Sequence, residues 1–371
     1  MALYQERDQS PEKSNNVLWP GDSSESAPAL ELSAEDAPVA FQDAVQVLSG
    51  APSTEQVRTA WLDLAAACRA ELAEACTYLQ EQVQRPKRVS GEPPKLTKSA
   101  MNARTIYVLV LRARLGTDGR IRKFTVVESA PYGMTEQFIK ALAAHVYVPA
   151  KLAGHPIEYP LTFKLSATGY KEYLSQEEEL RWLRARVAQF PGSGDAWLDL
   201  ARFLASHASQ DPDYEKALHA LNRLSPEAWW PATELAWLRA QEGKYAEAAP
   251  LAKVGRRFAP ENPYALETSA LVAFHQGHCR EAVADQQQAV AKFPEEWPEE
   301  ERARFKRALE AYRRGCSSEP APAAPLNGER PRRAWPGAQS GGGSNAVVSG
   351  RVKDVVGARR VCISCFADIS C

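Results

Sequence analysis

The chain has 371 residues, of which 44% are hydrophobic and 25% are charged, and its formal net charge is −1. These proportions are ordinary for globular proteins, and the length predicts two or three domains. Because the charge is nearly balanced, we expect neither nucleic acid nor an anionic membrane as the main partner. We find neither a run of about 20 apolar residues that could span a bilayer nor the apolar core of a signal peptide, which on its own predicts a cytoplasmic protein.

Seven cysteines are scattered along the chain, and their odd count does not indicate a disulfide framework. Cys68 and Cys76 would lie about 12 Å apart on one continuous helix, which is too far for a disulfide bond unless a turn separates them. The cysteines therefore predict no compartment.

Residues 1–38 are rich in Ser, Glu, Asp and Pro, which predicts a disordered terminus. Residues 39–88 follow as an N-terminal helical segment. Ser53 and Gln56 have the spacing of a capping box, and apolar residues between Trp61 and Leu79 recur every three or four positions, as on one helix face.

Between residues 93 and 167 the periodicity changes from helix to strand. Alternate residues from Leu109 to Leu115 are apolar, which indicates a strand with one buried face. The predicted elements are a strand, a glycine-containing hairpin loop, a strand, a helix and a strand, at residues 107–115, 116–119, 121–127, 135–144 and 157–165. This order, β-β-α-β, predicts a small unit with a limited core.

Residues 175–316 are predicted to be helical throughout, with an internal repeat. Gly, Ala and Pro recur with an offset of 34 residues, as Gly243, Ala248 and Pro260 and then Gly277, Ala282 and Pro294. An offset of 34 is the period of tetratricopeptide repeats, which are stacked pairs of antiparallel helices. The glycine suits the tight turn between the two helices of a pair, and the alanine allows these helices to pack closely. The proline suits the end of the second helix.

An irregular repeat precedes these two, and its second helix, from Tyr214, is predicted to be about one turn short. Residues 299–314 are predicted to cap the array. The tail, residues 317–371, is a low-complexity segment for which no packed core is expected. The predicted fold class is α+β, with the β-β-α-β unit, an all-α tetratricopeptide-like array and disordered termini.

The segment from residue 93 to residue 167 is similar to the C-terminal domain of TonB-type energy transducers. The similarity is carried by the order and spacing of Leu109–Leu111, Asp118–Ile121, Val126–Ser129, Phe138–Ala144, Val148–Ala150, Gly154–Ile157 and Pro160–Phe163. In that family the domain lies in the periplasm and contacts outer-membrane transporters. Its usual Tyr-Pro pair, membrane anchor and Pro-rich spacer are not found in this sequence.

The resemblance implies that an extended partner peptide adds to the edge of the last strand. The expected partner-strand site consists of Ile157, Glu158, Tyr159, Leu161, Thr162, Phe163 and Lys164. The alternative is a protected edge, because Pro160 removes one N–H donor and Lys164 adds a charge.

A second candidate site is the groove of the helical array. Aromatic and apolar residues fall on the first helix of each repeat and suit peptide recognition, namely Trp230, Trp237, Tyr264, Leu271 and Phe274. The alternative is that these side chains pack against neighbouring helices.

No metal site, cofactor or enzyme activity is predicted. His275, His278 and Cys279 lack an evident fourth ligand, and Cys362 and Cys365 lack a second Cys-x-x-Cys pair. No catalytic triad or phosphate-binding loop is recognisable either.

We therefore expect a non-enzymatic interaction protein with other proteins, and no small-molecule substrate, as partners. The resemblance places it at the cell envelope of a Gram-negative bacterium, with TonB-dependent outer-membrane transporters as candidate partners. The alternative is a cytoplasmic scaffold in which the TonB-like unit is only structural. The two localisations conflict, and the sequence leaves that conflict open.

Overall fold

The computed structural model describes residues 32–102, 106–167, 174–294 and 296–317, and the backbone of residues 361–364. Residues 1–31 and most of the tail, for which disorder is predicted, lie outside these ranges. The described residues form two compact units, one up to Leu174 together with residues 361–364, and one from Ser175 onward. No helix within them is long and apolar enough to cross a membrane.

The first unit begins with three helices, α1 (Ala37–Leu48), α2 (Thr54–Arg69) and α3 (Ala73–Gln82). Ser53 and Gln56 form the predicted capping box at the start of α2, because each side chain accepts a hydrogen bond from the backbone N–H of the other.

A turn between α2 and α3 brings two cysteines together. Glu71 has a φ of 72° in this turn, and the Cα atoms of Cys68 and Cys76 lie 4.8 Å apart, joined by a disulfide bond. A second disulfide joins Cys279 and Cys316. The expectation that the cysteines form no disulfide framework is therefore wrong. For Cys68 and Cys76 the reason is that the chain turns at a point where the apolar spacing continues from α2 into α3.

The remaining elements of the first unit are β1 (Val83–Gln84), β2 (Lys87–Ser90), α4 (Lys98–Asn102), β3 (Tyr107–Leu115), β4 (Ile121–Glu128), α5 (Met134–Ala143), β5 (Val146–Val148), β6 (Lys151–Leu152), β7 (His155–Pro156), β8 (Tyr159–Ala167) and β9 (Val361–Ser364). The main sheet has the strand order β4-β3-β8-β9 and is antiparallel throughout. Two small sheets, β1-β6-β7 and β2-β5, accompany it. The predicted β-β-α-β order is present as β3, β4, α5 and β8.

Strand β3 lies at the centre of the sheet, between β4 and β8. Leu109, Leu111 and Leu115 are buried as expected, but Val108 and Val110 on the opposite face are buried too. The prediction of one buried face is therefore wrong for the first half of β3 and fits only its second half, where Arg112 and Arg114 are partly exposed.

The β3–β4 hairpin loop is fastened to strand β5. The Tyr147 N–H donates to the Gly119 carbonyl at 2.9 Å, and a Cβ atom on Gly119 would lie 2.0 Å from the Tyr147 carbonyl oxygen. Gly119 also has a φ of 74°, so a side chain there is excluded by both contact and conformation.

The second unit is an array of eight helices among the described residues: α6 (Gln176–Gln189), α7 (Gly194–His207), α8 (Pro212–Leu224), α9 (Trp229–Gln241), α10 (Tyr245–Phe258), α11 (Pro263–His275), α12 (Cys279–Ala291) and α13 (Glu299–Ser317). Helix α11 begins 34 residues after α9, and α12 begins 34 residues after α10. The predicted helical repeat is therefore present in the fold.

The residues that recur have the structural roles expected of them. Gly243 and Gly277 have φ values of 75° and 81° in the turns within the helix pairs, and Ala248 and Ala282 are fully buried. The prediction of a short second helix in the preceding repeat is wrong. Helix α8 starts at Pro212 and has 13 residues, as many as α12, because a proline is accommodated in the first turn of a helix.

Helix α13 closes the array. It packs against α12, and the Cys279–Cys316 disulfide joins the start of α12 to the end of α13, with Cα atoms 5.6 Å apart. Its other face is polar and exposed: Lys306, Arg307, Glu310, Arg313 and Arg314. A polar outer face is what a terminal helix of a repeat array requires.

Candidate functional site

Strand β8 is long and regularly paired. It pairs with β3 along all nine residues, from Tyr159 opposite Leu115 to Ala167 opposite Tyr107, without a shift in register. A strand of this length without a register shift suits the addition of a further strand, since its backbone groups follow one another without a break.

Strand β4, at the opposite side of the sheet, is irregular by comparison. Its register with β3 shifts twice, and Lys123 has a φ of 43° beside one of the shifts. Arg122 and Lys123 are also exposed there. Bulges and charges are features that prevent strand addition, and β4 carries both, whereas β8 pairs with β3 without a register shift.

The position of Pro160 indicates which backbone groups of β8 face outward. Pro160 has no N–H, and a proline fits a paired strand where that N–H would point away from the neighbour. Alternate residues of an antiparallel strand direct their N–H and C=O groups to the same side. Thr162, Lys164 and Ser166 share this alternation, so we infer that their N–H groups point away from β3.

Strand β9 pairs with the outer side of β8 over part of its length. Lys164, Leu165, Ser166 and Ala167 lie opposite Ser364, Ile363, Cys362 and Val361. Within the described ranges, no strand pairs with the outer side of residues 160–163.

The predicted partner-strand residues fall into three groups. Ile157 and Glu158 precede β8, which begins at Tyr159, so the predicted start of the strand is two residues early. The Ile157 N–H donates to the Ala150 carbonyl at 2.9 Å, and the Glu158 carboxylate lies 3.8 Å from the Arg114 guanidinium.

The other five predicted residues alternate between core and surface. Tyr159, Leu161 and Phe163 are buried, whereas Thr162 and Lys164 are partly exposed. A strand added to β8 would therefore be held mainly by backbone hydrogen bonds, with Thr162 and Lys164 as the adjacent side chains. Binding at these residues stays a prediction.

The predicted groove residues lie inside the helical array. Trp230, Trp237, Tyr264 and Leu271 are each at most 9% exposed. Phe274 is partly buried, and its ring centroid lies 4.8 Å from that of Tyr312 on α13. These positions are those of packed side chains, and their contact with a peptide stays a prediction.

A buried charge cluster between α11 and α13 was not foreseen from the sequence. The Arg304 guanidinium contacts both Glu267 and Glu301, and the side chains of Arg304 and Glu267 are 13% and 3% exposed. Tyr312 lies in the same region, and burial together with the charge of Glu267 raises its pKa. No spacing rule connects residues 267 and 304, because they lie on different helices.

His145 is buried in the first unit. Its Nε2 atom lies 2.9 Å from the Glu92 carbonyl, and a Cβ atom on Gly91 would lie 2.0 Å from its ring. Burial, and to a smaller degree the charge of Arg88, lowers the pKa of His145 below 6.5, although the bond to Glu92 opposes this.

The described residues contain no group of three or more side chains suited to a metal ion. Cys279 is bonded to Cys316 and is therefore not an available thiolate beside His275 and His278. Cys365 and Cys371 lie outside the described residues, and only the backbone of Cys362 is described.

No family model matches the chain, and no curated protein matches it. Matching solved structures include MamA residues 41 to the end from Desulfovibrio magneticus RS-1, at 16% identity and a TM-score of 0.31, covering 41% of this chain and 87% of that one. A MamA RS-1 ArsTM double mutant matches with the same identity, TM-score and share of this chain, and with 93% of its own. Likeness at this level carries no functional argument, and the TonB resemblance gains no support from it.

Proposed function

We propose that this is a non-enzymatic interaction protein that binds an extended segment of a partner protein along the outer edge of β8. The observation that carries the proposal is the contrast between the two sides of the sheet. Strand β8 pairs with β3 over nine residues without a register shift, whereas β4 is bulged and charged. The helical array would dock a second protein.

The identity of the first partner is proposed from the TonB resemblance. The order β3, β4, α5 and β8 agrees with the order that the resemblance implies. TonB-dependent outer-membrane transporters are therefore the first partners to test, and a TonB-like role in transport is the finer form of the proposal.

We propose an oxidising compartment of the cell envelope as the location. Two disulfides, Cys68–Cys76 and Cys279–Cys316, support this, because structural disulfides persist in the periplasm and are rare in the cytoplasm. The alternative is a cytoplasmic scaffold in which the β unit serves only the fold.

The location is tested by trapping free thiols in intact cells with an alkylating reagent, followed by mass spectrometry. We expect Cys68, Cys76, Cys279 and Cys316 to remain unmodified until a reductant is added. Alkylation of all four without reductant would rule out the oxidising compartment and favour the scaffold.

Strand binding is tested at Thr162, where a proline would remove one N–H donor. Because that N–H is inferred to point away from β3, Thr162→Pro should leave the sheet folded and abolish capture of the partner from an envelope extract. Thr162→Val keeps the backbone N–H and the branched shape, so it should capture the partner as the wild type does. Equal capture by the two folded variants would exclude strand addition at this edge.

A further inference from the structure

The outer side of β8 already holds a strand from the carboxy-terminal end of the same chain. Residues Val361–Ser364 form β9, which runs antiparallel to Lys164–Ala167. We propose that β9 is an internal ligand of the β8 edge, and that a partner strand has to displace it. This inference deepens the proposed function, since it rests on the ability of the same edge to bind a strand.

The pairing is partial, which is what a displaceable ligand requires. Strand β9 covers four of the nine residues of β8. Residues 160–163 precede the covered part, so an incoming strand has backbone groups to pair with before it meets β9. The incoming strand then extends toward Lys164 and replaces β9 one residue at a time.

The length of the chain permits this contact. Residues 318–360 separate the end of α13 from β9. A chain of that length reaches up to about 140 Å when fully extended, which exceeds the size of either unit. Occupancy of the edge by β9 would raise the apparent dissociation constant of a competing strand in inverse proportion to the fraction of time that the edge is free.

The substitution Cys362→Pro tests the contact in the full-length chain. Cys362 lies opposite Ser166, which shares the outward alternation of Pro160, so its N–H is inferred to face β8. A proline there removes that donor, whereas Cys362→Ala retains it and serves as the matched control.

The first readout is amide hydrogen exchange of residues 164–167. We expect faster exchange at Lys164 and Ser166 in Cys362→Pro than in the wild type and in Cys362→Ala. Unchanged exchange in Cys362→Pro would overturn the inference.

The second readout uses a labelled synthetic peptide with the sequence of residues 358–367, in which both cysteines are replaced by alanine. We expect its dissociation constant to be about tenfold lower for Cys362→Pro than for the wild type, as when the edge is free about a tenth of the time. Equal affinities, together with faster exchange, would show that β9 leaves without making the edge available, and would also overturn the inference.

The two proposals fail separately. If Thr162→Pro captured the partner as well as the wild type does, the proposed function would be wrong. The exchange and peptide results for β9 would still stand. Conversely, if Cys362→Pro changed neither the exchange nor the peptide binding, β9 would not compete for the edge. The comparison of Thr162→Pro with Thr162→Val would still test binding at that edge.

Discussion

Replacing Arg304 by methionine should destabilise the helical array more than any loss of a surface ion pair. Arg304 lies between Glu267 and Glu301, and the three side chains are between 3% and 13% exposed. Methionine preserves most of the length and apolar stem of the side chain but leaves two buried carboxylates without their cation. Breaking a buried ion pair on one side costs about 3–5 kcal/mol.

The expected result is a loss of that size in the free energy of unfolding, and a decrease in the melting temperature of about 10 °C for a unit of this length. Urea titration followed by tryptophan fluorescence measures it. Arg181→Met is the matched control, because Arg181 pairs with Glu177 at a largely exposed site where an ion pair contributes about 0–1 kcal/mol.

Glu267→Gln combined with Arg304→Met should recover part of the loss, since it removes one of the two buried negative charges that Arg304 contacts in the wild type. If Arg304→Met lowered the free energy of unfolding no more than Arg181→Met, the packing of α13 against α11 through this buried charge cluster would be refuted.

Two further changes concern backbone conformation and pH. Gly277→Ala should lower the free energy of unfolding, measured by thermal unfolding, by about 1–2 kcal/mol, because Gly277 has a φ of 81°. The control Gly192→Ala should lower it less, because Gly192 has no positive φ. The lowered pKa of His145 means that the folded state resists its protonation. The contribution of His145 to the free energy of unfolding is therefore fully present above pH 6.5 and decreases as the pH falls below that value. Urea titrations at about pH 7 and pH 5 should show this loss in the wild type and a smaller one in His145→Gln; equal losses would contradict it.

Local signals in the sequence were sufficient for several elements. The capping box at Ser53 and the turns at Gly243 and Gly277 depend on residues close in the chain, so their types and spacing predict them. The β-β-α-β order follows equally from alternation and a glycine-rich loop. For α8, the predicted start at Tyr214 is two residues late, because the helix begins at Pro212 and a proline is common in the first turn.

Contacts between distant residues were beyond sequence reasoning. The turn at Glu71 does not interrupt the spacing of apolar residues, which continues from α2 into α3. The sequence therefore indicates one helix, on which Cys68 and Cys76 would lie too far apart for the disulfide that they form. Pairing of β8 with β9 joins residues that are almost 200 positions apart, and no local pattern encodes it. The burial of the groove aromatics depends in part on α13, whose contact with Phe274 is equally non-local.

The most direct test of strand binding is amide exchange across the whole chain, with and without a captured envelope partner. We expect the partner to slow exchange of the Thr162 amide, which is inferred to face outward, while Thr125 on the irregular strand β4 remains unchanged. Slower exchange confined to the helical array, with β8 unaffected, would contradict strand addition and leave the array as the binding surface.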